Sequence, residues 1–255
     1  MTIEFNEEQC NKLKNYSFNT YIDELVAHCN ESYPYLEMQL GKEGLKTVLT
    51  DAIEKTQNAG FDQRGPVQFY IDMLILFGAG FQTDPPYSWV KELLDNHTHL
   101  GQLERTTLLY HDVTRYLNEV HGEQDEHLKT SLLKLQSINI EGLNVQWNTY
   151  ESNVDALLNS LYPQKYRYIK QYSVKKIIQF GVEKSGQYGM KNANESAFLT
   201  LIMFLLGYQF DQDIFLPHLN KKLFKQYYSD TDSLIMKIEK EVKDYLKIFS
   251  NNIGI

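Results

Sequence analysis

The chain contains an internal repeat, which limits the folds that it can adopt. Residues 18–120 align with residues 147–249 at a constant shift of 129 positions and without a gap. The identical pairs include Tyr33 and Tyr162, Gly60 and Gly189, Gly78 and Gly207, Phe81 and Phe210, and Asp84 and Asp213. A period this long exceeds that of solenoid repeats. It predicts two tandem copies of one unit, with domains at 1–120 and 147–255 joined by a structured linker at 121–146.

Apolar residues recur with helical spacing in both copies. Within 45–59 and 234–248 they return every three or four positions, as on one face of a helix. Alternation with period two is confined to Ile138–Ile140. We therefore predict an all-α protein in which each copy forms about five helices. The third helix, 67–77 or 196–206, is almost wholly apolar and should be the buried centre of its copy.

Residues that end or begin helices occupy matching positions in the two copies. Gly60 and Gly78 lie where helices are predicted to end, since Gly accepts a left-handed backbone at little cost. Asp84 is predicted to begin the fourth helix, because its carboxylate can accept from free backbone N–H groups. The side chain of Phe81 is predicted to pack in the core and so to anchor this turn. The other predicted helices are 19–31 and 148–160, those ending near 59 and 188, and those near 100–120 and 229–249.

Composition and charge indicate a soluble globular protein. Of 255 residues, 42% are hydrophobic and 23% are charged, and the net charge of −8 argues against a general nucleic-acid binder. The longest apolar runs, 69–77 and 198–206, are too short to span a bilayer, and the N-terminus lacks the pattern of a signal peptide. We expect a cytoplasmic protein that binds neither membrane nor nucleic acid. Cys10 and Cys29 show no metal-binding pattern, and their pairing in a disulfide stays open.

No motif for catalysis or for a cofactor occurs in the chain. It lacks a Gly-x-Ser-x-Gly elbow and a Gly-rich phosphate loop that precedes Lys-Ser or Lys-Thr. If residues 97–99 were helical, the side chains of His97 and His99 would lie on different sides of the helix. In a loop, the two could share a metal with Asp95. We predict no catalytic, cofactor-binding or metal-ligating residue, and no cofactor. A metal- or small-molecule-dependent enzyme without a recognisable motif is the alternative.

The two copies differ in charge. Residues 18–120 hold 15 Asp and Glu against 7 Lys and Arg, whereas residues 147–249 hold 11 against 14, so their net charges are −8 and +3. Either the surfaces have drifted, or the copies have specialised to attract each other or a charged partner. Pairing between chains would give a structural homo-oligomer. Tyrosines alternate with cations in 162–172, and the acidic total favours a helix whose cations face water over a nucleic-acid surface.

Three residues of the first copy form the predicted partner-binding set. Arg64, Tyr87 and Trp89 are replaced in the second copy by Ala, Leu and His. Trp is enriched in interface hot spots. Trp89 is therefore either an anchor for a partner or a core residue of the first copy.

One segment of the first copy resembles a known class of helical proteins. Gly60-Phe61, the run 69–85 and Trp89 are similar to a stretch in accessory proteins of bacterial type VI secretion gene islands. The resemblance covers about 40–95, and the second copy lacks the Asp-Pro pair and the Trp. It implies a non-enzymatic protein-binding module, acting as an effector adaptor, a chaperone or an immunity protein. The implied partner is a secreted effector, a toxin or a component of the secretion spike.

Overall fold

The computed structural model describes residues 6–219 and 231–252 and shows an all-α protein, as predicted. The described helices are α1 (Glu7–Ser32), α2 (Tyr35–Asn58), α3 (Arg64–Phe77), α4 (Ser88–Asn96), α5 (Gln102–Tyr116), α6 (Glu126–Ser137), α7 (Tyr150–Leu161), α8 (Pro163–Tyr168), α9 (Gln171–Gln187), α10 (Ala193–Leu206) and α11 (Thr231–Asn252). Short 3₁₀ turns and one π-helical turn, Leu117–His121, lie between them. The described residues contain no β-strand, so the alternating run Ile138–Ile140 is not one.

The helix bounds repeat with the shift of 129 positions that the sequence shows. The helices α3 and α10 begin and end at equivalent positions, and α5 and α11 begin at equivalent positions. Gly41 kinks α2 with φ 68°, and the equivalent Lys170 lies in the break between α8 and α9. These agreements support the predicted duplication. The fourth helix predicted after Asp213 falls mostly on residues 220–230, outside the described residues.

The internal contacts divide the chain into two compact units, Met1–Ile71 and Asp72–Ile255. The division falls within α3, so the compact units and the predicted repeats separate at different places. The reason is that residues 72–120 of the first copy belong to the same unit as the second copy. The predicted linker contributes α6 to that unit, with Leu132 and Leu135 buried.

The helix α10 is the buried centre of the second unit, as predicted for 196–206. Twelve of its fourteen residues are buried. Its polar residues are satisfied, since the Tyr150 hydroxyl lies 2.8 Å from Ser196 Oγ and 3.1 Å from Thr200 Oγ1. A buried hydroxyl that keeps a partner avoids the cost of desolvation.

The turns that follow α3 and α10 pack against each other within the second unit. Asp84 Oδ2 accepts from the backbone N of Tyr208 at 2.8 Å, and Asp213 Oδ2 accepts from the backbone N of Ala79 at 3.0 Å. Each bond is the other shifted by 129 positions. Asp84 begins the 3₁₀ turn Pro85–Tyr87, as predicted, but the predicted capping bond is wrong, because its carboxylate makes no local capping bond and is used across this junction instead. Asp213 also accepts locally, from the backbone N of Phe215 at 2.8 Å.

Glycine permits the close approach of these two turns. Gly78 and Gly207 have φ of +89° and +102°, a region that other residues rarely adopt. A Cβ on Gly78 would lie 2.7 Å from the carbonyl oxygen of Leu206, and a Cβ on Gly207 would lie 2.9 Å from that of Phe77. Both glycines end their helices as predicted, and they also serve as the contact between the two turns.

We expect Gly78→Ala and Gly207→Ala each to lower the free energy of unfolding by about 2–4 kcal/mol, because each adds backbone strain and a clash with a carbonyl oxygen. Gly186→Ala in α9 is the matched control, since its Cβ would meet nothing within 4 Å. That change should be neutral or stabilising by up to about 1 kcal/mol. Urea denaturation measures all three, and equal effects at the three positions would contradict the proposed junction.

Candidate functional site

The first half of α1 is a helix without a buried face. None of residues 7–19 is buried, whereas Tyr21 and Leu25 in the second half are. The exposed half nevertheless carries apolar side chains, with Leu13 53% and Tyr16 74% exposed. Scattered apolar residues on a surface are common, but a helical stretch with no buried residue has few of the tertiary contacts that usually stabilise helices.

Local interactions support this exposed half in place of packing. Asn6 and Gln9 form a reciprocal capping box, with bonds of 2.8 and 3.0 Å between side chain and backbone. Lys12 pairs with Glu8 one turn earlier at 2.7 Å. An exposed pair of this kind contributes only a few tenths of a kcal/mol, or about 0.3–0.5. These local interactions therefore support the helical conformation of the exposed half of α1, and its surface is available to a partner.

Arg64, a predicted partner-binding residue, lies in a groove of ≈ 280 Å³ beside the exposed half of α1. Its guanidinium is 3.0 Å from Glu24 Oε2 and donates to the carbonyl and hydroxyl oxygens of Ser17 at 3.2 and 3.1 Å. It also lies 5.0 Å from the centre of the Tyr21 ring. Phe18 lines the same groove. Because the Arg64 side chain is still 52% exposed, its guanidinium can also meet a partner.

Tyr87, the second predicted residue, is a core residue of the second unit. It is 2% exposed and therefore offers a partner almost no surface. Its hydroxyl accepts from Lys165 Nζ at 2.9 Å, and its ring lies 4.7 Å from that of Phe77. Burial raises the pKa of the Tyr87 hydroxyl well above its ordinary value.

Trp89, the third predicted residue, is half-buried in the same aromatic cluster. Its ring meets Phe77 edge-on at 6.2 Å and lies 6.4 Å from Tyr116. Its Nε1 is buried and has no hydrogen-bond partner. These contacts favour the core alternative for Trp89, whereas its role in binding a partner stays a prediction.

Lys165 is a buried cation, although the pattern of residues 162–172 predicted cations that face water. It lies in the alternating stretch 162–172, yet it is 2% exposed and donates to the carbonyl oxygen of Phe204 at 2.6 Å. The repeat carried a signal for this burial, because the equivalent Leu36 is apolar and is also buried. Burial lowers the pKa of Lys165 to about 8, opposed by the charge of Asp84. Burial likewise raises the pKa of Asp84 to about 6.

A second buried cation lies next to the junction of the two turns. Lys184 Nζ is 2.5 Å from Asp211 Oδ1 and donates to the carbonyl oxygen of Tyr208 at 2.9 Å. The Tyr188 hydroxyl donates to the other oxygen of Asp211. Each charge thus has a direct partner, as a buried ion pair requires. The pair helps to hold the turn after α10.

The histidines and cysteines do not come together in a site. His97 and His99 have ring centres 6.1 Å apart, and His97 Nδ1 lies 2.8 Å from the carbonyl oxygen of Leu93. Cys10 and Cys29 are free thiols, because both lie on α1, where 19 residues separate them by about 28 Å. Among residues 6–219 and 231–252, no three metal-binding side chains cluster. None of the described helices is long and apolar enough to cross a bilayer.

Comparison with known proteins finds no family model that matches the chain, no curated protein similar to it and no similar solved structure. The exposed half of α1, with the Arg64 groove, is therefore the candidate site on geometric grounds.

We expect Lys165→Met to remove a pH dependence of stability. The folded protein releases the Lys165 proton near pH 8, and the unfolded chain releases it near 10.5. Between these values the unfolded chain binds more protons than the folded protein, so the free energy of unfolding rises with pH. This gain is lost as pH falls through 8. Wild type should gain on the order of 1 kcal/mol between about pH 7 and 9, where most tyrosines of the unfolded chain are still protonated.

Urea denaturation at the two pH values tests this expectation. Lys165→Met should lose the gain without unfolding, since an apolar residue is buried at the equivalent position and Tyr87 keeps a bond to Tyr116. Lys175→Met, at an exposed position of α9, is the control and should behave like wild type. A gain that persists in Lys165→Met would show that another group titrates.

Proposed function

We propose that this chain is a non-enzymatic, cytoplasmic protein-binding module of an antibacterial secretion setting. On this proposal it acts as an effector adaptor or chaperone, or as an immunity protein that binds a toxin. The observation that carries the proposal is the exposed half of α1. It presents the apolar side chains of Leu13 and Tyr16 on a helical stretch in which no residue is buried. The resemblance of residues 40–95 to type VI accessory proteins supports the choice of setting.

The chemistry of the site indicates what kind of surface would cover it. Leu13 and Tyr16 are suited to an apolar or aromatic partner face, because burying such side chains is the main source of interface energy. Arg64 lies in a groove lined by Lys14, Ser17 and Phe18, on a different side of α1 from Tyr16, and its planar donor group can pair with a carboxylate of the partner. A folded partner with an apolar patch bordered by acidic residues would satisfy both features.

We expect the chain to retain a secreted effector, a toxin or a spike component when it is co-expressed with the products of adjacent genes. The double change Leu13→Ala and Tyr16→Ala should weaken that binding about tenfold or more, because two exposed anchors are truncated. Alanine preserves the helix, since it has the highest helix propensity. Titration of the purified pair by calorimetry measures the effect.

Met38→Ala is the control, because Met38 is as exposed as these anchors but lies on α2. Rescue of cell growth from a co-expressed toxin would identify an immunity protein, whereas retention of both an effector and a spike component would identify an adaptor. Failure to retain any of these proteins would overturn the proposal.

A further inference from the structure

The outward face of α9 is basic and carries an exposed aromatic ring. Tyr172, Lys175, Lys176 and Gln179 lie on this face, which is consistent with the helical spacing of three and four positions. Tyr172 is 69% exposed, and Lys176 Nζ lies 5.6 Å from the centre of its ring.

The cations of this region have no carboxylate partner among the described residues. Arg167, Lys170 and Lys175 are exposed, and Lys176 is half-buried. No described carboxylate forms an ion pair with any of the four. A cluster of four unpaired cations is unusual on a chain whose net charge is −8, and it creates a local positive potential that attracts an acidic surface.

The equivalent face in the first copy is more acidic, although Lys175 corresponds to Lys46 and Glu183 to Glu54, so that these two positions keep their charge. Shifted by 129 positions, the outward face of α9 corresponds to that of α2, where Glu43, Asp51 and Glu54 are exposed and unpaired. Tyr172 corresponds to Glu43 and Lys176 to Thr47. Residues 43–54 hold one Lys against three Asp and Glu, a net charge of −2, whereas residues 172–183 hold two Lys against Glu183, a net charge of +1. The two helix faces therefore differ in the sign of their net charge.

The acidic face also borders a groove that can receive an aromatic side chain. The groove has a volume of ≈ 450 Å³ and lies between α1 and α2, lined by Phe18, Ile22, Asp23, Glu43, Lys46, Thr47 and Thr50. Phe18 and Ile22 supply apolar surface, while Asp23 and Lys46 pair with each other at 2.8 Å. An amphipathic ring such as that of Tyr172 suits a site that is apolar at its base and polar at its rim.

We propose that two copies of this chain associate through these faces, with α9 of one chain lying against α2 of the other. Tyr172 enters the groove beside Phe18, and Lys175 and Lys176 meet Glu43, Asp51 and Glu54. The contact is small and its charges are exposed, so the association is weak and sensitive to salt. A polyanion such as single-stranded nucleic acid is disfavoured as the occupant, because the chain as a whole would repel it.

Sedimentation equilibrium of the full chain tests the proposal. At about 0.03 M NaCl the average mass should exceed the monomer mass of 29.9 kDa and rise with protein concentration, and at about 0.5 M NaCl it should fall to the monomer value because the charges are screened. Lys175→Glu with Lys176→Glu, and separately Glu43→Lys with Glu54→Lys, should each weaken self-association about tenfold. An equimolar mixture of the two double variants should associate again, since each supplies the face that the other has lost.

The control changes two exposed cations elsewhere on the second copy. Lys240→Glu with Lys247→Glu on α11 alters the net charge by the same amount as the α9 variant and should leave self-association unchanged. A wild-type monomer at low salt, a control that dissociates like the α9 variant, or a mixture that does not associate would each overturn the proposal. Binding of a single-stranded oligonucleotide that is lost only in the α9 variant would assign the face to nucleic acid and overturn it as well.

Discussion

The second unit depends on the contact between the turns that follow α3 and α10. Two glycines with positive φ bring the backbones within reach of each other, and two aspartates accept backbone N–H groups across the junction. Both carboxylates are buried, so their charges have little water around them. Desolvation makes such a group costly unless it is hydrogen-bonded, and the reciprocal bonds provide that compensation.

The two copies differ at one buried position near this junction. Lys165 is buried where the first copy has Leu36, and its ammonium group bonds to a tyrosine hydroxyl and a helix carbonyl oxygen. Such a buried cation is weak support for stability, because an apolar residue of similar size often does as well. Lys165 therefore marks a divergence of the second copy inside the core. The outward-facing charges of α2 and α9 mark a divergence on the surface, which is where the copies can acquire different partners.

The all-α class and the positions of several helix ends could be predicted from local sequence patterns. Apolar spacing predicted the helices, and the matched glycines predicted where they end, because these signals arise within a few neighbouring residues. The apolar run 196–206 was correctly predicted to be central. The partner-binding set was predicted less completely, since the replacement of Tyr87 and Trp89 between the copies could reflect either binding or packing. Tyr87 is buried, whereas Trp89 is half-buried and its role in binding a partner stays a prediction. The burial of both depends on contacts with Phe77, Tyr116 and Lys165, which lie up to 78 positions away in the sequence.

The sequence by itself determined that the chain is all-α and that helices end at Gly78 and Gly207, whereas the duplication stays a prediction. These properties depend on local propensity and on periodicity, which a sequence displays directly. Only the tertiary structure showed that Asp84 and Asp213 bond across the junction rather than only within their own turns, that Lys165 is buried, and that the first half of α1 is uncovered. Each of these depends on which distant residues meet, because burial and hydrogen-bond partners are set by packing between helices and not by neighbours along the chain.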